Sequence, residues 1–212
     1  MATNSTALPS AVPVTPGRWI SQGWEVVKQD LGNFILITLI ALALWLAVGF
    51  TVIGHFIVGG PLVSGMFIAI RRRMQEGRME LMDLFAGFNL FLDSFLICLL
   101  SSLFMLLGLL LCIFPVFFVA ALYVFPFLFL IDRRLSFWDA MEASRAAVSS
   151  DILGYVIFVI LIALLNLVGL MLAGVGLLVT IPISMAAVAV AYRDVTGFRP
   201  KPPETRGPVI IP

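Results

Sequence analysis

"DLGNFILITLIALALWLAVGFTVIGHFIVGGPLVSGMFIAIRRR", residues 30–73, runs for forty residues (31–70) without an Asp, Glu, Lys or Arg. A helix that crosses the hydrocarbon layer of a bilayer, about 30 Å thick, needs about 20 apolar residues. Forty such residues therefore read as two crossings with a turn between them, and "GFTVIGH" (49–55) supplies the turn residues. The same frame returns twice. Asp93 opens a run that closes on "IDRR" (131–134), broken near "GLLLCIFP" (108–115), and Asp151 opens one that closes on "AYRD" (191–194), broken near "GLMLAGVG" (169–176). Asp30 to Arg71 is 41 positions, Asp93 to Arg133 is 40, and Asp151 to Arg193 is 42.

Composition agrees with this frame. The 212 residues are 61% hydrophobic with a mean hydropathy of +1.11. Only 12% are charged, about half the share of an ordinary soluble domain. The apolar residues come in long runs, so the chain reads as an all-α integral membrane protein. Backbone groups in lipid must be satisfied internally, and no β-type alternation is present, which leaves helices. Six transmembrane helices are predicted, at about 33–50, 55–71, 92–110, 115–132, 152–170 and 175–193, paired as three hairpins. Each is slightly short, so hairpins that insert only partly are the alternative. A net charge of +1 excludes a nucleic-acid footprint.

What precedes each hairpin repeats as well. "RWISQGWEVVKQD" (18–30), "RMELMDLFAGFNLFLD" (78–93) and "FWDAMEASRAAVSSD" (137–151) carry apolar residues at helical spacing. They read as amphipathic helices lying at the membrane surface, with Trp19, Trp24 and Trp138 as aromatic anchors among the headgroups. A threefold internal repeat follows, about 18–73, 78–134 and 137–194, with a proline in each returning helix: Pro61, Pro115 or Pro126, and Pro182. Residues 1–17 read as a disordered tail lacking the basic start and apolar core of a secretory signal. Residues 195–212 read as a Pro-rich tail, with Pro200 and Pro203 in a PxxP pattern.

The charges lie at one end of the hairpins. All 13 Lys and Arg and all 12 Asp and Glu fall outside the apolar runs on the same predicted side. Positive charge marks the cytoplasmic face, so both ends of the domain and the amphipathic helices are predicted there. Asp at the start of an outgoing helix and Arg at the end of a returning one each complement the helix dipole. Each Asp is expected to pair with the Arg of its own hairpin. Asp30, Arg71, Arg72, Arg73, Asp93, Arg133, Arg134, Asp151 and Arg193 are thus the candidate hairpin-base and lipid-headgroup residues. Anionic headgroups are the expected lipid partners of this basic layer.

Other candidates carry two readings each. His55 near the first turn is a headgroup-level residue or a partner contact; one histidine makes no metal site. Asn166, Ser101 and Ser102 join helices by hydrogen bonds or line a path. Gly60 with Ser64 and Ala187 with Ala191 permit close helix packing. Asp83, Asp139 and Glu142 read as the solvated face of interfacial helices. Cys98 and Cys112, inside apolar runs, read as inert packing residues. Asn4-Ser5-Thr6 matches a glycosylation acceptor, read as chance on the cytoplasmic side. No nucleophile elbow, phosphate-binding loop or metal motif occurs in the sequence, and no cofactor is expected.

"GGPLVSGM" (59–66), "DLFAGF" (83–88), "FWDAMEAS" (137–144) and the closing "AYRD" resemble bacterial integral membrane protein families of unknown function, with six-helix domains and interfacial helices. The likeness covers about residues 19–194. It implies a multi-pass protein of a prokaryotic cytoplasmic membrane and transfers no catalytic residue. The functional expectation is a non-enzymatic scaffold or complex subunit with membrane-protein partners. The alternative is a small passive transporter or lipid-handling protein with a groove between the hairpins. An ion-coupled pump is disfavoured, because no Asp, Glu, Lys or Arg falls at predicted mid-membrane depth.

Overall fold

The computed structural model describes residues 13–48, 51–111 and 113–199, with the backbone alone at positions 52, 53, 55, 111, 113 and 114. The His55 side chain, Cys112, Asn4, Pro200 and Pro203 lie outside what is described. The described residues form helices α1 (Pro16–Lys28), α2 (Leu31–Val48), α3 (Val52–Glu76), α4 (Leu81–Ala86), α5 (Phe91–Leu111), α6 (Ile113–Leu122), α7 (Pro126–Arg133), α8 (Phe137–Val148), α9 (Ile152–Met171) and α10 (Leu177–Thr196). Short 3-10 turns join α4 to α5 and α8 to α9. No strand occurs among the described residues.

Five stretches among the described residues are long and apolar enough to cross a membrane: Leu31–Val48, Leu81–Leu110, Pro115–Arg133, Phe137–Met171 and Leu177–Thr196. The sixth expected crossing falls on α3, a 25-residue helix with Pro61 inside it and three arginines in its last two turns. Two boundaries differ from the sequence expectation. The first helix begins at Pro16, inside the expected tail, because proline suits the first helical position, where its missing N–H is not needed. At the other end Phe198 packs on the Tyr192 ring, 5.6 Å between centroids, so the ordered body runs past residue 194.

The fourth expected crossing is not one helix. It breaks at Tyr123–Phe125, and Pro126 starts the next helix. Proline at the first position of α7 needs no N–H partner there, whereas inside a continuous helix it would remove a backbone hydrogen bond.

The amphipathic helices do not lie apart from the hairpins. The most extensive packing of α1 is on α10, that of α4 on α3, and that of α8 on α7. Backbone-to-backbone approach makes two of these joints. A Cβ added at Gly23 of α1 would sit 2.7 Å from the Ala187 amide nitrogen of α10. One added at Gly65 of α3 would sit 1.8 Å from the Leu84 carbonyl oxygen of α4. The small residues of the sequence pattern therefore sit at helix joints: Gly60 faces the Ser94 backbone of α5, Ser64 is buried, and Ala187 and Ala191 are fully buried on α10. In α1 the buried residues Trp19, Gly23 and Val27 recur every four positions, a single stripe toward α10 and α9.

Core and surface divide along helices as well as between them. Phe34, Ile70, Phe125, Leu128, Tyr155, Phe158 and Tyr192 are buried. Leu106 and Leu110 of α5, with Leu164, Leu167 and Met171 of α9, are exposed, the last at 79%. So large an apolar exterior belongs against lipid or another apolar surface rather than water.

Candidate functional site

The side chains with the most chemistry converge where the returning helices end. Asp132, at the end of α7, has a fully buried carboxylate. Arg71 of α3 approaches it at 2.9 Å, and the Tyr192 hydroxyl of α10 donates to it at 3.1 Å. The Arg199 backbone N–H donates to both of its oxygens, at 3.1 and 3.3 Å. One carboxylate thereby ties α3, α7, α10 and the segment after α10 together. Arg133, its neighbour, donates to the Thr196 carbonyl at 3.0 Å, an unpaired acceptor at the α10 C-terminus. Arg71 also lies over the Phe198 ring, 5.9 Å from its centroid.

A second cluster closes α1 onto α10. Asp194 accepts from Arg18 at 2.7 Å and from the Trp19 indole at 3.1 Å. Trp19 stacks on Tyr155 and meets Phe158 edge-on, at 5.9 and 5.1 Å between ring centroids. Trp19 is fully buried, so the expectation of a headgroup anchor does not describe it: the indole finds its polar partner in Asp194, inside the fold. Trp24 and Trp138 are exposed, at 38% and 58%.

A third cluster joins α3 to α4. Arg72 contacts Asp83 at 2.7 Å, Glu80 at 3.1 Å and Glu76 at 3.4 Å. The hydrogen bond that Arg72 donates to Asp83, then the charge of that carboxylate, raises the Arg72 pKa above its ordinary value and keeps the guanidinium charged. Asp83 also accepts from the Glu80 N–H at 2.8 Å, in a capping box that starts α4. Asp83 is buried at 7% exposure, which corrects its reading as a solvated face; Asp139 and Glu142 are exposed.

The pairing rule inferred from the hairpins holds in one unit of three. Asp30 meets Arg73 of its own hairpin at 3.6 Å. Asp93 instead accepts from the Phe137 N–H at 3.0 Å, which starts α8, and Asp151 caps α9 by accepting from the Gly154 N–H at 3.0 Å. Arg193 contacts Gln22 of α1 at 2.9 Å and its neighbour Asp194 at 3.0 Å. The reason is the orphan N–H groups at helix starts, which compete for carboxylates with the arginines and are nearer. Arg134 is exposed and ends α7 in the left-handed conformation, φ 52°.

Ser144 of α8, fully buried, fits the break between α6 and α7. Its hydroxyl donates to the Leu122 carbonyl at 2.7 Å and accepts from the Phe125 N–H at 3.2 Å. Both backbone groups freed by the break are thereby satisfied, as a broken helix inside a membrane body requires. Between α9 and α10, Asn166 donates to Ser184 at 2.8 Å and to the Ile162 carbonyl at 2.9 Å, a helix-joining bond.

Arg71, Arg72 and Arg133 of these clusters are among the candidates legible in the sequence, whereas Arg18, Asp132, Asp194 and Ser144 are not. Of the three residues Asp132, Asp194 and Ser144, the first two were within reach, standing beside candidate residues in "IDRR" and "AYRD". An acid immediately next to a helix-end arginine was the available signal. No group of three or more His, Cys, Asp and Glu among the described residues is placed to hold a metal ion. Comparison with protein-family models, with curated proteins and with solved structures finds no match to this chain.

Proposed function

We propose that the chain is a non-enzymatic scaffold or subunit of a larger assembly in a bacterial cytoplasmic membrane, with both ends of its domain on the cytoplasmic side. One observation carries the reading. The buried carboxylates of Asp132 and Asp83 and the partly buried one of Asp194 are occupied in holding helices together: Asp132 of α7 binds α3 and α10, Asp194 binds α1, and Asp83 binds α3. Side chains so engaged stabilise a body whose exposed apolar faces are what it offers to lipid and to protein partners. Extraction in mild detergent is expected to bring the chain out with other membrane proteins. A monodisperse monomer that retains no protein partner would refute this.

The proposed architecture is six crossings in three repeated hairpins, α3 being the sixth crossing. Three features support it. Helices α4 and α8 each pack on the returning helix of the preceding unit, and α1 packs on that of the third unit. Returning helices α3, α7 and α10 are each followed by a residue with positive φ: Gly77, Arg134 and Gly197. Each unit also places arginines at its base. The hairpin-base residues Asp30, Arg71–Arg73, Asp93, Arg133, Arg134, Asp151 and Arg193 would then lie at cytoplasmic headgroup level beside anionic lipid, with Trp24 and Trp138 as anchors. Cysteines at positions 73 and 134 should resist membrane-impermeant label applied to intact cells; labelling from outside would invert the topology.

The break at Tyr123–Phe125 favours a second reading, a passive transporter or lipid-handling protein, since discontinuous helices mark the binding sites of many transporters. Flux or lipid scrambling no faster than in protein-free liposomes would remove it.

A further inference from the structure

Beside the helix break lies a hollow lined by Phe104 of α5, Tyr123 in the break, and Trp138, Met141 and Glu142 of α8. Its cavity volume is about 20 Å³, room for one group the size of a water molecule. Three of its five walls are aromatic. Phe104 and Tyr123 stack on one another, 5.5 Å between centroids and 16° between planes, which makes a rigid wall. Trp138 is 58% exposed, so its ring stands toward the surroundings at the mouth rather than within the core. Glu142 is the hollow's one charged wall, and it is held by Arg145, one turn further on, at 2.5 and 3.1 Å. Tyr123 is within electrostatic reach of both charges.

Aromatic rings with a carboxylate attract a cation. The size of the hollow selects the cation: a primary ammonium fits the space of a water molecule and a trimethylammonium does not. Arg145, bonded to Glu142, is the guanidinium next to that wall, and a guanidinium matches a phosphate well. The geometry points to a site for a phosphoethanolamine-type zwitterion. The ammonium enters the hollow against Glu142 and the aromatic rings, and the phosphate exchanges onto Arg145. Its source is the headgroup of an ethanolamine phospholipid, because Trp138 at the mouth is exposed on a body that carries membrane-length helices. The inference does not depend on the scaffold reading and survives its failure.

The test is lipid retention by the full chain in native mass spectrometry, after exchange into mixed micelles containing equal phosphatidylethanolamine and phosphatidylcholine of the same acyl chains. The wild-type chain should retain the ethanolamine lipid about tenfold over the choline lipid, the scale of one cation–aromatic contact with a carboxylate. Glu142→Gln should abolish that preference while keeping total lipid retention, and Arg145→Gln should lower retention of both lipids. Thermal unfolding within a few degrees of wild type certifies that each variant is folded, and both positions are exposed enough for that to hold. Equal retention of the two lipids by the wild-type chain overturns the proposal, as does a preference that persists in Glu142→Gln. Competition arms use glycerophosphoethanolamine and a lysine-containing peptide. If the chain-free zwitterion competes as well as the lipid, the lipid source is overturned; if the peptide alone occupies the hollow, the zwitterion is overturned and a protein partner takes its place.

Discussion

Helix α1 on α10 and helix α8 on α7 solve the same problem in different ways. In each joint an amphipathic helix lies along a returning helix of the membrane body. Helix α10 runs unbroken through Pro182, and α1 approaches it through a glycine: Gly23 stands where any side chain would strike Ala187. The other returning helix is broken before Pro126, and α8 approaches it through a hydroxyl, Ser144, which satisfies the Leu122 carbonyl and the Phe125 N–H. The unbroken helix is met by close packing, joined at its end by the contacts of Asp194 with Arg18 and Trp19. A broken one demands a polar group, because unsatisfied backbone in an apolar body is costly.

The two joints meet at Asp132, which is bonded to Tyr192 of α10 while belonging to α7. Asp132→Ala should therefore loosen both together. It strands Arg71 without its buried partner, and a loss of about 3–5 kcal/mol is expected, read as a lowered unfolding midpoint in detergent. Gly23→Leu should affect the α1 joint alone. Overpacking of this kind costs about 1–3 kcal/mol and should red-shift Trp19 emission as α1 lifts, leaving the α8 joint protected from protease. Ser144→Ala should do the reverse at a cost of about 1–2 kcal/mol, visible as faster hydrogen exchange at the Phe125 amide with α1 unchanged. Coupled loss at both joints in either single variant would mean they are not separate devices. The smallest effect belongs to Arg18→Gln. Arg18 is half exposed, so its pair with Asp194 contributes under about 1 kcal/mol and should vanish in high salt. A large salt-insensitive loss there would show that the ion pair, not Gly23 and Trp19, fastens α1.

Much of this body was legible in the order of residues. Three of the five membrane-length stretches, Leu31–Val48, Pro115–Arg133 and Leu177–Thr196, fall near predicted bounds, while Leu81–Leu110 and Phe137–Met171 begin earlier by taking in the preceding short helix; the small residues at four-residue spacing fall on helix joints. Legibility failed at partner choice. Asp93 and Asp151 carry the same charge at the same point of the frame as Asp30, yet one holds the start of α8 and the other caps its own helix. Trp19 and Trp138 look alike in amphipathic segments, but one is fully buried and the other mostly exposed. Pro126 was visible as a helix interruption; that Ser144, 18 positions later, would fill the gap was not.

The sequence by itself determined the material: long apolar helices, breaks between them, and charge kept out of the apolar runs. Those features are one-dimensional, because the cost of placing charge in hydrocarbon acts on each residue whatever its neighbours. Tertiary structure alone decided which carboxylate meets which guanidinium, that α1 closes onto α10, and that Asp132 joins three returning helices. Ionic and hydrogen-bond energies fall off within a few ångströms, so they depend on which helices end up adjacent. Several acids of equal charge gather at the hairpin bases, and only the packed arrangement distinguishes them.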